Sequence, residues 1–124
     1  MPIRFESAIP TLRIFDKAKA REFYLDYLGF AVDFEHRFYD GAPSFMGISR
    51  DGVRLFLSEH HGDGSPGARV MVKATGLDEL HRELTEKHYR YLNVEIHATE
   101  WGSREMPVID PFGNRLIFSE DTAT

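Results

Sequence analysis

The segment from Glu100 to Asp121, EWGSREMPVIDPFGNRLIFSED, carries side chains suited to holding a flat molecule by stacking. It contains Trp101, the single tryptophan of the chain, followed by the turn DPFGN and the strand-like run RLIFSE. An indole ring can stack on a flat ligand, although a lone tryptophan can equally serve as a core or edge anchor. The segment therefore predicts either the wall of a binding site or a packing anchor.

A second aromatic group lies in the segment 32–45, VDFEHRFYDGAPSF. Four of its rings could line a groove: Phe34, Phe38, Tyr39 and Phe45. Asp33 could face a cationic group of a ligand. Because side chains alternate along a strand, some of these rings must face a core. We expect about two of the four to contact a ligand.

Metal-binding and nucleophilic chemistry have little support in the residue types. The chain has no cysteine, which excludes disulfides, thiolate metal sites and a cysteine nucleophile. The run Glu59-His60-His61 cannot converge on one ion within a strand, because adjacent residues point to opposite faces. The other histidines are scattered, at His36, His81, His88 and His97. The spacing of these residues does not predict a Ser–His–Asp catalytic triad.

Length and composition describe one ordinary globular domain. The chain has 124 residues, of which 42% are hydrophobic and 28% charged. Its net charge of −5 argues against nucleic-acid binding and would suit a cationic ligand. No apolar run approaches the roughly 18 residues of a membrane span. The start, MPIRFESAIP, is unlike a signal peptide, so we expect a cytoplasmic protein without a membrane partner.

The chain contains an internal repeat. The sequences DGVRLFLSE, Asp51 to Glu59, and FGNRLIFSE, Phe112 to Glu120, align without gaps 61 positions apart. Each is preceded by an amphipathic segment with apolar residues at helical spacing, Asp16 to Phe30 and Leu77 to Tyr89. The repeat predicts one domain, 1–124, made of two modules of about 1–62 and 63–124.

Strand-like runs complete both modules. Their predicted bounds are Ser7–Ile14, Ala31–Arg37, Phe45–Ser49, Val53–Glu59, Ala68–Ala74, Asn93–Thr99, Arg104–Ile109 and Arg115–Glu120. With the helices they give the order βαβββ twice. We therefore expect an α+β fold in which two βαβββ modules form curved mixed sheets around a cavity, with the helices on the outer face.

Alternation in the repeated strands predicts which sheet faces are left uncovered. The apolar sets, Val53, Leu55 and Leu57 in one module and Leu116 and Phe118 in the other, should pack under the helices. The intervening sets read Arg–apolar–Ser in both modules: Arg54, Phe56 and Ser58, and Arg115, Ile117 and Ser119. Such a mixture suits a small-molecule pocket, although ordinary half-exposed sheet faces would show the same pattern.

The chain resembles the glyoxalase/bleomycin-resistance/dioxygenase superfamily, which has the vicinal oxygen chelate fold. The resemblance covers nearly the whole chain and rests on the duplication, on LRIFDKAKAREFYLDYLGF, and on MPVIDPFGNRLIFSE. The segment WGSREMPVIDPFGN is similar to the corresponding segment of bleomycin-resistance proteins. This similarity favours the drug-binding branch of the superfamily.

The resemblance also implies where metal ligands would lie in the enzymes of the superfamily. The corresponding positions here are Ile9, Phe56, Arg69 and Ile117. None of these side chains can replace the His, Gln or Glu ligands of the metalloenzymes. We therefore expect no cofactor and no metal catalysis.

The resemblance implies a binding site for a flat, amphipathic, possibly cationic ligand in a homodimer. Its expected ligand-binding residues are Asp33, Phe34, Phe38, Tyr39, Phe45, Phe56, Met71, Trp101 and Arg115. Met71 departs from the family, which often has a tryptophan there, and it is a weaker stacking platform. The alternatives are a metal-dependent lyase, isomerase or dioxygenase of the same superfamily, and an interaction module without a small ligand.

Overall fold

The computed structural model describes residues 2–37 and 39–122, which form two sheets and two helices. The first module contains β1 (Thr11–Arg13), α1 (Lys17–Arg21), a π-helical continuation (Glu22–Tyr27), β2 (Ala31–His36), β3 (Phe45–Arg50) and β4 (Val53–Ser58). The second contains β5 (Arg69–Lys73), α2 (Leu77–Glu86), β6 (His97–Ala98), β7 (Ser103–Ile109) and β8 (Arg115–Asp121). The described helices are all too short or too polar to cross a membrane.

Each module forms one four-stranded mixed sheet. The strand order is β1-β4-β3-β2 in sheet 1 and β5-β8-β7-β6 in sheet 2. In both sheets the first and last strands of the module pair in parallel, and the other neighbours are antiparallel. The predicted α+β class with two βαβββ modules is therefore confirmed.

Both helices begin where the amphipathic segments predict, and the second ends earlier than its segment. The Asp16 carboxylate accepts a hydrogen bond of 3.0 Å from the Lys19 backbone N–H and so caps α1. Gly29 takes a φ of 77° directly after the first helix, and Gly76 a φ of 75° before α2. The second helix ends at Glu86, short of the predicted Tyr89, because His88 turns the chain with a φ of 51°.

Two strands are much shorter than predicted. The strand β1 begins at Thr11 instead of Ser7, and Pro10 explains the difference because it has no N–H to extend a ladder. The residues before it lie in the open, with Ile3 and Phe5 at least 90% exposed. The strand β6 keeps only His97–Ala98 of the predicted segment 93–99, since the Val94 carbonyl bonds the His81 ring at 3.0 Å.

One core joins both modules. As the alternation predicted, Leu55 and Leu57 of β4 and Leu116 and Phe118 of β8 are buried in it. Buried side chains from both helices lie in the same core: Ala20, Phe23, Tyr24, Tyr27, Leu77 and Leu84. Each sheet therefore has a core face, against the helices, and a free face turned away from them.

Polar contacts also join the modules on this core side. The Arg50 guanidinium at the end of β3 makes two hydrogen bonds, of 2.8 and 3.0 Å, to the Glu83 carboxylate on α2. These contacts lower the pKa of Glu83, first through the hydrogen bond and then through the charge of Arg50. The Tyr24 hydroxyl donates to Asp110 at 2.7 Å. Since the core sides of the modules meet, both free faces are turned away from the shared core.

Candidate binding faces

The free face of sheet 1 carries a cluster of three phenylalanines. The ring centroids of Phe34 and Phe45 are 6.1 Å apart and nearly parallel, at 19°. The Phe56 ring stands 5.8 Å from Phe34 and 5.1 Å from Phe45, tilted against both. These residues come from β2, β3 and β4, so strand pairing brings together three of the predicted site residues. The cluster offers an aromatic platform with more than one ring orientation.

Gly47 makes room for this cluster. Register places it between Phe34 on β2 and Phe56 on β4. A Cβ atom on Gly47 would lie 2.3 Å from the Phe34 ring, closer than any real contact allows. The phenylalanine therefore lies flat on the glycine backbone, which is the kind of close approach that favours glycine within a strand.

Charged groups stand at the edges of the same face. The pairing between β2 and β3 shifts between Val32 and Phe34, which leaves Asp33 in a bulge. The Asp33 carboxylate accepts a hydrogen bond of 2.9 Å from the Ser49 hydroxyl. Arg54 lies opposite Ser49 on β4 and is exposed. On the opposite side of β2, toward α1, Glu35 pairs with Lys17, whose hydrogen bond and charge lower the pKa of that carboxyl group.

The free face of sheet 2 is arranged in rows across its strands. One row places Met71, Ile117 and Pro107 side by side on β5, β8 and β7. The adjacent row contains Arg69, Arg115 and Ile109. Met71 is 45% exposed, whereas Ile117 is only 4% exposed and lies outside the shared core. This face thus combines an apolar strip with two cationic side chains.

Trp101 and Tyr39 lie on exposed connections. Trp101 is 74% exposed in the turn before β7, so the structure excludes its interpretation as a core anchor. Tyr39 is 69% exposed between β2 and β3. The prediction for Phe38 falls outside the described residues. Exposure leaves both described rings available to a ligand, and their contact with one remains a prediction.

The predicted site residues therefore form two groups on two different sheets. Asp33, Phe34, Phe45 and Phe56 belong to sheet 1, and Met71 and Arg115 to sheet 2. A concave space of about 810 Å³ lies elsewhere, between the core sides of the modules, and is lined by none of these residues.

Several members of these faces were not among the predicted ligand contacts. Gly47 is the clearest case, and an isolated glycine inside a strand pattern is a signal that could have identified it. Arg69 was assigned only as a metal-ligand position, although register pairs it with Arg115. Pro107 and Ile109 join the face through β7, whose pairing with β8 is not visible in the repeat.

The residues at the expected metal-ligand positions do not form a donor set. Ile9 precedes β1, and Thr11 lies opposite Phe56. Met71, two residues beyond Arg69, lies opposite Ile117. Within residues 2–37 and 39–122, no group of three or more His, Asp or Glu side chains is placed to hold a metal ion. Glu59, a member of the Glu-His-His run, instead accepts a hydrogen bond from the Ser44 backbone at 2.9 Å.

The chain is similar to known proteins along its whole length. The sequence pattern of a family described as "Glyoxalase superfamily protein" matches residues 1–124. A bleomycin resistance protein of Geobacillus stearothermophilus is 30% identical over 129 residues, covering 90% of this chain and 93% of that protein. A bleomycin resistance protein of Staphylococcus aureus matches to the same extent.

Solved structures agree with the fold. The bleomycin-binding protein of bleomycin-producing Streptomyces verticillus, complexed with copper(II)-bleomycin, is 29% identical with a TM-score of 0.71 and coverage of 99% for both chains. TnmS3, an antibiotic binding protein of Streptomyces sp. CB03234, has a TM-score of 0.74 over 98% of this chain and 100% of its own. At 19% identity this second likeness concerns the fold alone.

Proposed function

This chain belongs to the glyoxalase superfamily, and on that premise we propose that it binds and sequesters a small drug-like molecule without metal catalysis. The observation that carries the proposal is the cluster of Phe34, Phe45 and Phe56 on the free face of sheet 1. Three rings on an uncovered sheet face favour a flat, amphipathic aromatic ligand. Bleomycin is the first candidate, because relatives of similar length are named for resistance to it or binding of it.

We further propose that the binding site lies between two copies of the chain. Both free faces are turned away from the shared core, and the concave space between the modules contains none of the predicted site residues. A homodimer that sets sheet 1 of one protomer against sheet 2 of its partner would bury both faces. Its two-fold symmetry would create two equivalent sites. Asp33 then supplies a carboxylate for a cationic group of the ligand, and Trp101 and Tyr39 supply further stacking surfaces.

Metal-dependent lyase, isomerase or dioxygenase chemistry is the less supported alternative. Phe56 and Ile117 occupy the centres of the strands where the metalloenzymes would carry ligands, and neither side chain can donate to a metal. The side chains opposite them, Thr11 and Met71, are also poor substitutes for imidazole or carboxylate. We therefore assign no catalytic residue and no cofactor, and we propose that the protein acts by sequestration in the cytoplasm.

Titration with bleomycin, both metal-free and copper-loaded, tests the proposal directly. Trp101 is the only tryptophan, so its fluorescence reports on a single position. We expect saturable quenching at about one drug molecule per protomer. Metal analysis of the same sample distinguishes sequestration from the metalloenzyme alternative, which requires a bound metal. The absence of quenching, together with a stoichiometric transition metal, would contradict sequestration.

The variant Trp101→Ala provides a second test of the same site. We expect a loss of binding of about 0.5–1.5 kcal/mol or more, because ring stacking contributes that much beyond the buried area. Unfolding free energy should stay within about 0.5 kcal/mol of wild type, since the side chain is exposed. Calorimetry replaces fluorescence as the readout. Tyr91→Ala is the matched control, because Tyr91 is 69% exposed but lies off both free faces. Equal losses of binding affinity in the two variants would show that Trp101 is not part of the site.

A further inference from the structure

Two arginines lie side by side on the free face of sheet 2. Arg69 of β5 and Arg115 of β8 are directly opposite each other in the parallel register, and both are exposed. Neighbouring strands are about 4.8 Å apart, and residues in register point to the same side of the sheet. The two guanidinium groups can therefore reach one common group above the face.

Neither side chain has a partner of its own chain. Within the described ranges, the guanidinium groups of Arg69 and Arg115 take part in no hydrogen bond or ion pair. By contrast, Arg104 on the core side of the same sheet is held by Asp78 at 3.0 and 2.6 Å. Like charges directly opposite on neighbouring strands destabilise a sheet. The pair therefore costs folding stability unless something negative binds to it.

The carboxylates on this face do not neutralise the pair. Asp121 is engaged with Lys73 at 2.5 Å. Glu105 lies in the row of Ser119, four residues along β8 from Arg115, which corresponds to roughly 13 Å at about 3.3 Å per residue. The apolar row of Met71, Ile117 and Pro107 separates it from the arginines.

From this arrangement we propose that the site prefers ligands with an anionic group, best a carboxylate, bound between Arg69 and Arg115 while the ring of the ligand lies on the adjacent apolar row. The inference rests on the proposed binding function and adds the charge chemistry of one end of the ligand. The planar fork of arginine matches the two oxygens of a carboxylate, and charge-assisted hydrogen bonds of this kind are strong. With Asp33 on the opposing face, the assembled site would accept a molecule bearing both an acidic and a basic group.

Three fluorescent probes of the same ring system separate ring binding from charge recognition. They are anthracene-2-carboxylate, the neutral anthracene-2-carboxamide, and the cationic 2-(aminomethyl)anthracene, each followed by fluorescence anisotropy. We expect the carboxylate to bind at least about tenfold tighter than the carboxamide, as a charge-assisted contact predicts. The preference should shrink as salt is added, because the arginines are exposed.

Variants locate the preference on the sheet. The double variant Arg69→Gln/Arg115→Gln should reduce carboxylate binding to about the level of the carboxamide, whereas carboxamide binding should fall by less. The single variant Arg115→Lys keeps the charge but loses the fork, so we expect an intermediate loss. The control Arg82→Gln removes an exposed arginine of α2, away from the free faces, and should change neither affinity.

The outcomes distinguish this inference from the proposed function. Equal affinity of the carboxylate and the carboxamide would overturn the anion site while leaving an aromatic pocket in place. Tighter binding of the cationic probe, or an unchanged preference in a folded double variant, would overturn it as well. Failure of all three probes in protein that still binds bleomycin would also reject the anion site, whereas failure of bleomycin too would reject the proposed function.

Discussion

Phe34 and Gly47 show how a single missing side chain shapes a binding face. The phenylalanine ring occupies the space that a Cβ atom on its neighbour would take, and it stacks with Phe45 in that position. The glycine lies in the middle of β3, where it weakens the strand and contributes no packing of its own. The role of Gly47 is therefore to let the Phe34 ring lie close to the sheet.

The substitution Gly47→Ala tests this role. The added methyl group must displace the Phe34 ring, so we expect a loss of about 1–3 kcal/mol in unfolding free energy, as for other overpacked sites. Ligand binding should weaken as well. Chemical denaturation measures the first effect, and calorimetry with bleomycin the second.

A double-mutant cycle provides the control for that substitution. In a Phe34→Leu background the clash is smaller, so Gly47→Ala should cost less than it does in the wild type. Equal costs in the two backgrounds would show that the ring and the glycine do not depend on each other.

At the scale of the elements, the β7–β8 turn holds the two modules together. Asp110 is buried, and its carboxylate accepts hydrogen bonds from the Tyr24 hydroxyl, the Asn114 amide and the backbone N–H groups of the turn. The Asn114 side chain also donates to the Arg13 carbonyl at 2.8 Å and accepts from the Ala68 N–H at 3.1 Å. One turn thereby ties the first helix, β1 and the start of β5 to each other.

Alkaline pH should loosen this connection. Burial, followed by the charge of Asp110, raises the pKa of Tyr24 well above its usual value of 10.0. Because the folded-state pKa exceeds the unfolded one, the stability linked to Tyr24 is complete below pH 10 and falls as the pH rises further. Burial also raises the pKa of Tyr27 and Tyr89, which adds to the loss in the same direction.

The variant Tyr24→Phe isolates this contribution. At neutral pH we expect it to be about 1–2 kcal/mol less stable than wild type, because one buried hydrogen bond to a carboxylate is lost. The difference should narrow above pH 10, since phenylalanine has no proton to lose. Urea denaturation between pH 7 and 11 measures both. The control variant Tyr91→Phe, at an exposed position, should have an unchanged unfolding free energy at neutral pH. A difference between wild type and Tyr24→Phe that stays constant with pH would refute the linkage.

At the scale of the whole molecule, one shared core explains why the candidate site is divided. We propose that the modules, about 1–62 and 63–124, fold as one domain, because their core sides bury each other. The same packing turns the aromatic face and the arginine face away from the shared core. We therefore propose that the pocket, which uses both faces, forms between protomers.

Complementation between two defective variants tests this arrangement. The variant Phe34→Ala impairs the part of the proposed site on sheet 1. The variant Trp101→Ala impairs the part that the second module contributes. After unfolding and refolding together, mixed dimers should contain one intact site and one doubly impaired site. Random mixing restores about a quarter of the sites, as expected for a two-fold dimer. Calorimetry measures the number of intact sites per protomer, and analytical sedimentation tests whether the protein is a dimer. If mixing restores no sites, the pocket lies within one protomer.

Much of the fold was predictable because its signals are local. The repeat, the helix starts and the alternation of Leu55 and Leu57 depend on residues close together in the chain, and the structure confirms them. The predicted lengths of β1 and β6 were wrong, because a strand extends only as far as its partner and its own N–H groups allow. Pro10 and the Val94 carbonyl set those limits here.

The sequence by itself determined which side chains were available: the phenylalanines Phe34, Phe45 and Phe56 at strand positions, a lone tryptophan, and Phe56 and Ile117 in place of metal donors at the centres of the repeated strands. Alternation also assigned Phe56 and Arg115 to faces away from the helices. Only the tertiary structure decided which of these residues meet. Strand register placed Phe34 over Gly47 and Arg69 beside Arg115, and the shared core separated the two groups. Such contacts join residues far apart in the chain, so no local pattern specifies them.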